Sequence, residues 1–451
     1  MRVAIFSDAL PPRVDGIAVA VRHLALGLVS EGHQVLLIGP GPRGVGGADV
    51  VNSGASFNHS ASFKDAAEGA GFLRLPAIPT PFDGYSIALP RRSVMDRAVK
   101  HFRPDVISAQ TVGPVGLIGL SLAYRYQVPA LFSWHTDFEA YGQAYSIAPR
   151  MLAAGSYLPI VLNRRQLVST SAPSSVPYSV PSPPSGTAHG IIPASLRRAS
   201  LWMTAVCAPS GSTVEQIHRI GVRRPVFVMP ADVNPVELGP GTVAARQAWA
   251  LIPGAGVTPY LLFVGRLSRE KNLNLLIEAF LHGVQAPARL VLVGPANDAQ
   301  IRAMLVSRVR EAPTRIVWMP PRPRAELGEI YCGAAAFVTP SVSETQCLCV
   351  SEALALSTPV IVVDPRLAQD RPAGTVRVVR PDRQSLATAM TDLVYQWSTR
   401  PVPLHGPRRR QGPNFWTAWR CASSLRPGSW LLCSRSPSRA QISHARRFRT
   451  A

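Results

Sequence analysis

The residues best suited to chemistry gather in two short stretches of the second half of the chain. The first is Gly265-Arg266-Leu267-Ser268-Arg269-Glu270-Lys271-Asn272, directly after the apolar run LLFV. Such a run reads as a strand turning into a helix, so Arg266 and Lys271 flank a place where free backbone N–H groups and the helix dipole favour an anion. Two cations there can hold a diphosphate. Taken alone, the same run is more readily a solvated charged turn. Lysine is scarce, however: Lys64, Lys100 and Lys271 are the only three among 47 basic residues, and Lys271 stands out from an arginine-rich background.

The second stretch holds Glu344 and Glu352, separated by seven residues. Glu344 is expected in a loop after the strand AAAFVTPS, and Glu352 in the first turn of the helix EALAL. Carboxylates so placed can point to one sheet edge and accept hydrogen bonds from two parts of a polyhydroxylated ligand. The ordinary alternative for Glu352 is a favourable charge at a helix N-terminus, worth about 0.3 to 1 kcal/mol.

Positioning these groups requires strands that end near one another. Residues 2–7 read as a strand, 17–30 as an apolar-periodic helix closed by Gly32, and 35–38 as a second strand. The alternation returns at 105–109, 115–126 and 130–133, and again at 202–208, 212–220 and 226–229. A Pro/Gly-rich passage over 230–256 then reads as an interdomain linker. A second series follows, with strands at 260–264, 289–293, 315–318, 335–339 and 360–363 and helices at 272–282, 299–311, 324–333 and 349–356. Repeated βα units with nearly all-apolar strands predict parallel sheets covered on both faces, with ligands bound at the carboxyl ends of the strands.

At 451 residues, the chain is about three times a usual ~150-residue domain. Its 47% hydrophobic and 16% charged residues exclude wholesale disorder. Two segments depart from the pattern. Residues 168–197 are Ser/Pro-dense and read as a loop. Residues 393–451 hold eleven arginines and no acid, so about half of the net charge of +21 sits there, and 400–451 reads as an atypical, disordered tail. The six cysteines, Cys207, Cys332, Cys347, Cys349, Cys421 and Cys433, form no CxxC pair and read as free thiols of a reducing cytosol. The opening residues read as a strand, not a signal peptide's apolar core. No apolar run approaches the ~18 residues of a membrane span. A cytoplasmic protein, free or in peripheral contact with an anionic membrane, is expected.

Together these motifs resemble the retaining glycosyltransferases of family 4 over about residues 1–395. The resemblance rests on SDALPPRVDGIAVAVRHLALGLVSEGHQV, SWHTDFEAY, FVGRLSREKNLNLLIEAF and SETQCLCVSEALALSTPVIV, the last similar to the family's E-x7-E block. Its wording is nearest the GDP-mannose-dependent α-mannosyltransferases. The resemblance implies an α/β fold of the GT-B type, two Rossmann-like parallel-sheet domains facing a cleft: an acceptor-side domain over 1–235 and a nucleotide-sugar-binding domain over 258–395.

It further implies that Arg266 and Lys271 neutralise a donor diphosphate, Glu352 binds ribose hydroxyls and Glu344 the donor sugar. Gly16 would let the first loop approach phosphate or acceptor, a Cβ there colliding, and His135 would stand near the reacting sugar. Hexose transfer, as mannose from GDP-mannose to a lipid or glycan acceptor, follows. No cofactor beyond the donor, no metal and no nucleic acid are implied. A UDP-sugar donor, or an impaired nucleotide-sugar-binding relic, is the alternative. The chain departs from the family's glycines at Cys347, Ser357 and Ala231.

Overall fold

A computed structural model describes residues 1–10, 15–40, 70–79, 86–137, 196–231 and 233–398. The expectations for the Ser/Pro segment (168–195), residues 11–14 and 138–141 of the family motifs, and the tail lie outside the described residues.

Two parallel sheets organise the chain. The first comprises β1 (Arg2–Phe6), β2 (Gln34–Pro40), β3 (Gly71–Leu75), β6 (Val106–Ala109), β7 (Ala130–Ser133), β8 (Ala205–Ala208) and β9 (Val226–Val228), in the order β3-β2-β1-β6-β7-β8-β9. A small antiparallel ribbon, β4 (Ala77–Pro79) with β5 (Ser86–Ala88), lies between β3 and β6 in sequence. The second sheet has β10 (Tyr260–Val264), β11 (Arg289–Val293), β12 (Ile316–Met319), β13 (Ala336–Thr339), β14 (Val360–Val362) and β15 (Arg377–Val378), ordered β12-β11-β10-β13-β14-β15. Every neighbouring pair in both is parallel. Strands β6, β8, β13 and β14 are buried along their whole length, which is why they read as mostly apolar runs, broken only by Ser108 and Thr339, and not as alternating ones.

The described helices of the first half are α1 (Gly16–Ser30), α2 (Arg92–Phe102), α3 (Pro114–Tyr126) and α4 (Gly211–Ile220). Those of the second are α5 (Val243–Ala250), α6 (Leu273–Gly283), α7 (Ala299–Glu311), α8 (Gly328–Cys332), α9 (Leu348–Ala355), α10 (Arg366–Gln369) and α11 (Arg383–Ser398). Helix α1 starts where the Asp15 side chain accepts from the Ala18 N–H at 2.8 Å, and it buries Ala18, Val21, Leu24, Ala25 and Leu28, one face at helical spacing. No described helix is long and apolar enough to cross a membrane.

The passage expected as a linker is folded in part. A 3-10 turn (Pro235–Leu238) leads to α5, whose Thr242 cap accepts from Ala245 N at 3.1 Å. Leu238, Ala248 and Ile252 are buried in one cluster with Tyr260, Leu262, Ile330 and Tyr331. The glycines that suggested a linker serve local turns instead: Gly239 and Gly241 have φ of 66° and 79°, a region that favours glycine.

Candidate active site

In the second sheet the strand order reverses between β10 and β13, and the loops after these strands carry the two expected motifs. Gly265 and Gly294, which end β10 and β11, have φ of 147° and 148°. A Cβ on Gly294 would stand 1.9 Å from the Gly265 carbonyl oxygen, so the adjacent turns pack backbone against backbone. From Gly265 the chain passes through a short 3-10 turn, Arg269–Lys271, into α6. Arg266 Nη2 lies 2.8 Å from Glu270 Oε1, which also accepts from Ser268 Oγ at 2.7 Å. Lys271 Nζ donates to Glu344 Oε1 at 2.6 Å. The structure thus brings together the cation of one motif and the loop carboxylate of the other. Burial acts to lower the Lys271 pKa, but the Glu344 charge, supported by Cys347 and Glu270, outweighs it, and the ammonium is held more firmly than usual.

Glu352 corrects an expectation. Helix α9 begins at Leu348, four residues ahead of Glu352, so this carboxylate is not in the first turn and does not serve the helix N-terminus. The chain enters α9 through Cys347, whose φ of 56° lies in the left-handed region. Glu352 is only 2% exposed, and both its oxygens are engaged: Arg324 Nη1 donates to Oε1 at 2.5 Å and Tyr331 Oη to Oε2 at 2.7 Å.

A cavity of about 320 Å3 is lined by Arg266, Lys271, Glu344, Glu352, His135 and Gly16 together. His135 follows β7, with its Nε2 2.9 Å from Gln110 Oε1. Burial pushes its pKa down to about 4 despite the opposing Asp15 charge, so the ring is neutral at ordinary pH. Gly16 is the first residue of α1, and a Cβ built on it meets no atom within 4 Å. The collision expected there is therefore absent within the protein itself. Among the described residues, no group of three or more His, Cys, Asp or Glu side chains is arranged to hold a metal.

The loop between Glu344 and α9 also joins the two sheets. Thr345 Oγ1 donates to the His135 carbonyl at 3.2 Å, and the Thr345 carbonyl accepts from Ser210 Oγ at 2.7 Å. The Gln346 side chain makes a paired contact with the Ala231 backbone, accepting from its N–H at 2.9 Å and donating to its carbonyl at 2.8 Å. Arg366, bound to Asp364 at 2.8 Å, reaches Asp137 at 3.1 Å.

These interlocking loops belong to a recognisable family. Residues 14–236 match Glycosyltransferase Family 4, and residues 258–396 match Glycosyl transferases group 1. The chain belongs to glycosyltransferase family 4. Within it, the chain is 24% identical over 364 residues to a GDP-mannose-dependent alpha-mannosyltransferase of Corynebacterium glutamicum, covering 80% of this chain and 72% of that one. It is likewise 24% identical to an alpha-monoglucosyldiacylglycerol synthase of Acholeplasma laidlawii, covering 80% of each. A solved sucrose-phosphate synthase from Thermosynechococcus elongatus shares the fold at a TM-score of 0.62 and 18% identity, over 88% of this chain and 90% of that one. The two facing parallel-sheet units are those of a GT-B glycosyltransferase.

Sequence reasoning missed several residues that surround the site. Gln110 lies at the end of β6 and meets His135 from a neighbouring strand, a contact across 25 positions that spacing does not reveal. Arg324 sat in a segment read only as helix, although the run Arg322-Pro323-Arg324 after a strand was a visible signal. Thr345 and Gln346 lay inside the E-x7-E block and were passed over for its carboxylates.

Proposed function

We propose that this glycosyltransferase is a retaining hexosyltransferase that takes mannose from GDP-mannose and transfers it to a hydroxyl of a lipid or glycan acceptor, working free or at a membrane surface. The observation that carries the reading is the meeting of Lys271 and Glu344 at 2.6 Å beside Arg266 in one cavity. With the donor bound, Lys271 turns from Glu344 to the diphosphate and joins Arg266 in stabilising charge as the glycosidic bond breaks. Glu344 is then free to accept from hydroxyls of the sugar. Glu352, held in place by Arg324 and Tyr331, faces the ribose, and neutral His135 borders the sugar without adding charge. The GDP-mannose-dependent relatives support the donor, and the diacylglycerol-modifying relative supports a lipid acceptor.

Thermal unfolding with GDP-, UDP- and ADP-sugars tests the reading, because a ligand at 100 times its Kd stabilises by about 2.7 kcal/mol. GDP-mannose is expected to raise Tm most and to support transfer to diacylglycerol or glycan acceptors. A larger shift with a UDP-sugar overturns the donor, and no shift with any nucleotide sugar overturns the reading.

A second reading, a nucleotide-sugar binder with impaired transfer, is favoured by one feature. Cys347 lines the cavity where the resemblance places a glycine. Binding of donor without turnover, and faster turnover in Cys347→Gly, would mark the impaired enzyme.

A further inference from the structure

The part of the cavity wall that follows β12 carries two arginines rich in hydrogen-bond donors. The chain leaves β12 as Pro320-Pro321-Arg322-Pro323-Arg324, and both arginines line the cavity along with Pro295 and Pro321. Strand β12 lies two strands out from β10, or roughly 10 Å at the usual spacing between strands. A diphosphate at Arg266 and Lys271 and a ribose at Glu352 would therefore direct the base of a nucleotide toward these arginines. This placement rests on the function proposed above.

Each guanidinium is held on one side. Arg324 Nη1 is fixed by Glu352, whose other oxygen is fixed by Tyr331. Arg322 Nη1 lies 3.6 Å from Glu326 Oε2. Even so, Arg322 Nε, Arg324 Nε and Arg324 Nη2 are buried without a hydrogen-bond partner, Arg324 Nε standing 4.0 Å from Glu237 Oε2. Buried N–H groups of a cation left unmet are costly, and arginine has no acceptor with which to adapt. A ligand edge made only of acceptors relieves that cost, and an edge carrying its own N–H does not.

We propose that Arg322 and Arg324 select the base of the donor, reading guanine through its adjacent O6 and N7 acceptors. Guanine presents two neighbouring acceptors on that edge, the pattern to which arginine is matched. Adenine sets an amino donor beside N7, facing donor against donor. Uracil offers O4 next to the N3–H, a single acceptor where the wall supplies several donors.

Calorimetric titration of the full chain with GDP, IDP, 7-deaza-GDP, ADP and UDP tests the assignment without any mutation. IDP keeps O6 and N7 and is expected to bind like GDP, whereas 7-deaza-GDP, ADP and UDP should bind at least about tenfold more weakly. Arg322→Gln leaves the Arg324–Glu352 contact in place. It should weaken GDP about tenfold and leave UDP unchanged. Equal affinity for GDP and 7-deaza-GDP overturns the proposal, as does a variant that weakens all nucleotides alike, which would assign Arg322 to the phosphates. If UDP binds more tightly than GDP, base selection is wrong while the nucleotide site stands. If no nucleotide binds, the nucleotide-sugar reading falls with it.

Discussion

Lys271 and Glu344, 73 positions apart, meet at 2.6 Å with little exposure on either side chain, 18% and 12%. Each holds the other where a donor would need both. Lys271→Ala is expected to lower transfer at least tenfold, because a charge-assisted contact is worth roughly 1.5 to 3 kcal/mol. It should also lower Tm, since the Glu344 charge is left part-buried and uncompensated. Combining it with Glu344→Gln should destabilise less than the two single losses together. Additive unfolding free energies, or unchanged kinetics in Lys271→Ala, would count against the pair.

The two glutamates of the E-x7-E block should separate by ligand. Glu352→Gln is expected to weaken free nucleotide and nucleotide sugar alike, by about 1.5 to 3 kcal/mol. Glu344→Gln should spare the nucleotide and weaken only the complete donor or its transfer. Tyr331→Phe gives an independent check, because it leaves one oxygen of a buried carboxylate unmet, a cost of roughly 1 to 3 kcal/mol visible in denaturant unfolding. Titrations in which both glutamine variants match the parent chain would remove the assignment.

How much of this was legible in the sequence follows from what spacing encodes. The parallel sheets were, because strands buried on both faces leave unbroken apolar runs such as LLFV and LVLV. The turn at Gly265 and the loop at Glu344 were, because each follows its strand directly. Helix α5 was hidden by glycines that serve its flanking turns, although Thr242 at its cap was a usable sign. Helix α9 was placed within one residue of its start at Leu348, but Glu352 was read into the first turn and lies one turn further on; Cys347, in a left-handed position that glycine usually marks, gave no sign of the boundary. Contacts such as Gln110 with His135 depend on strand neighbours far apart in sequence and carry no local signal.

Cys347 and Ser357 share a physical explanation. Both are departures from glycine in the resemblance, and both have positive φ, 56° and 62°. A side chain in that region costs roughly 1 to 2 kcal/mol, offset in part by the greater freedom glycine has in the unfolded chain. Cys347→Gly and Ser357→Gly are each expected to stabilise the protein by up to ~1 kcal/mol, measured as a higher denaturant midpoint at unchanged m-value. Lower midpoints in both would show that the neighbours have adapted to the side chains.

His135 supplies the pH test. Burial holds its pKa at about 4, against 6.5 for the free side chain. Between those values the unfolded chain binds a proton that the folded chain does not, so stability rises with pH across that window. The contribution is complete above about pH 6.5 and is lost as the pH falls toward 4. The gap is worth roughly 3 kcal/mol. Carboxylates also titrate in this range, so the informative quantity is the difference from His135→Gln, which keeps an amide partner for Gln110 but cannot take up a proton. Unfolding free energies should rise more steeply from pH 4 to 7 in the parent chain, by up to ~1.4 kcal/mol per pH unit for the one extra proton. Above pH 7 and below pH 4 the two curves should run parallel. A constant offset across the whole interval would mean that His135 titrates normally. The ring would then carry a proton near pH 6 and could not be the neutral group bordering the sugar.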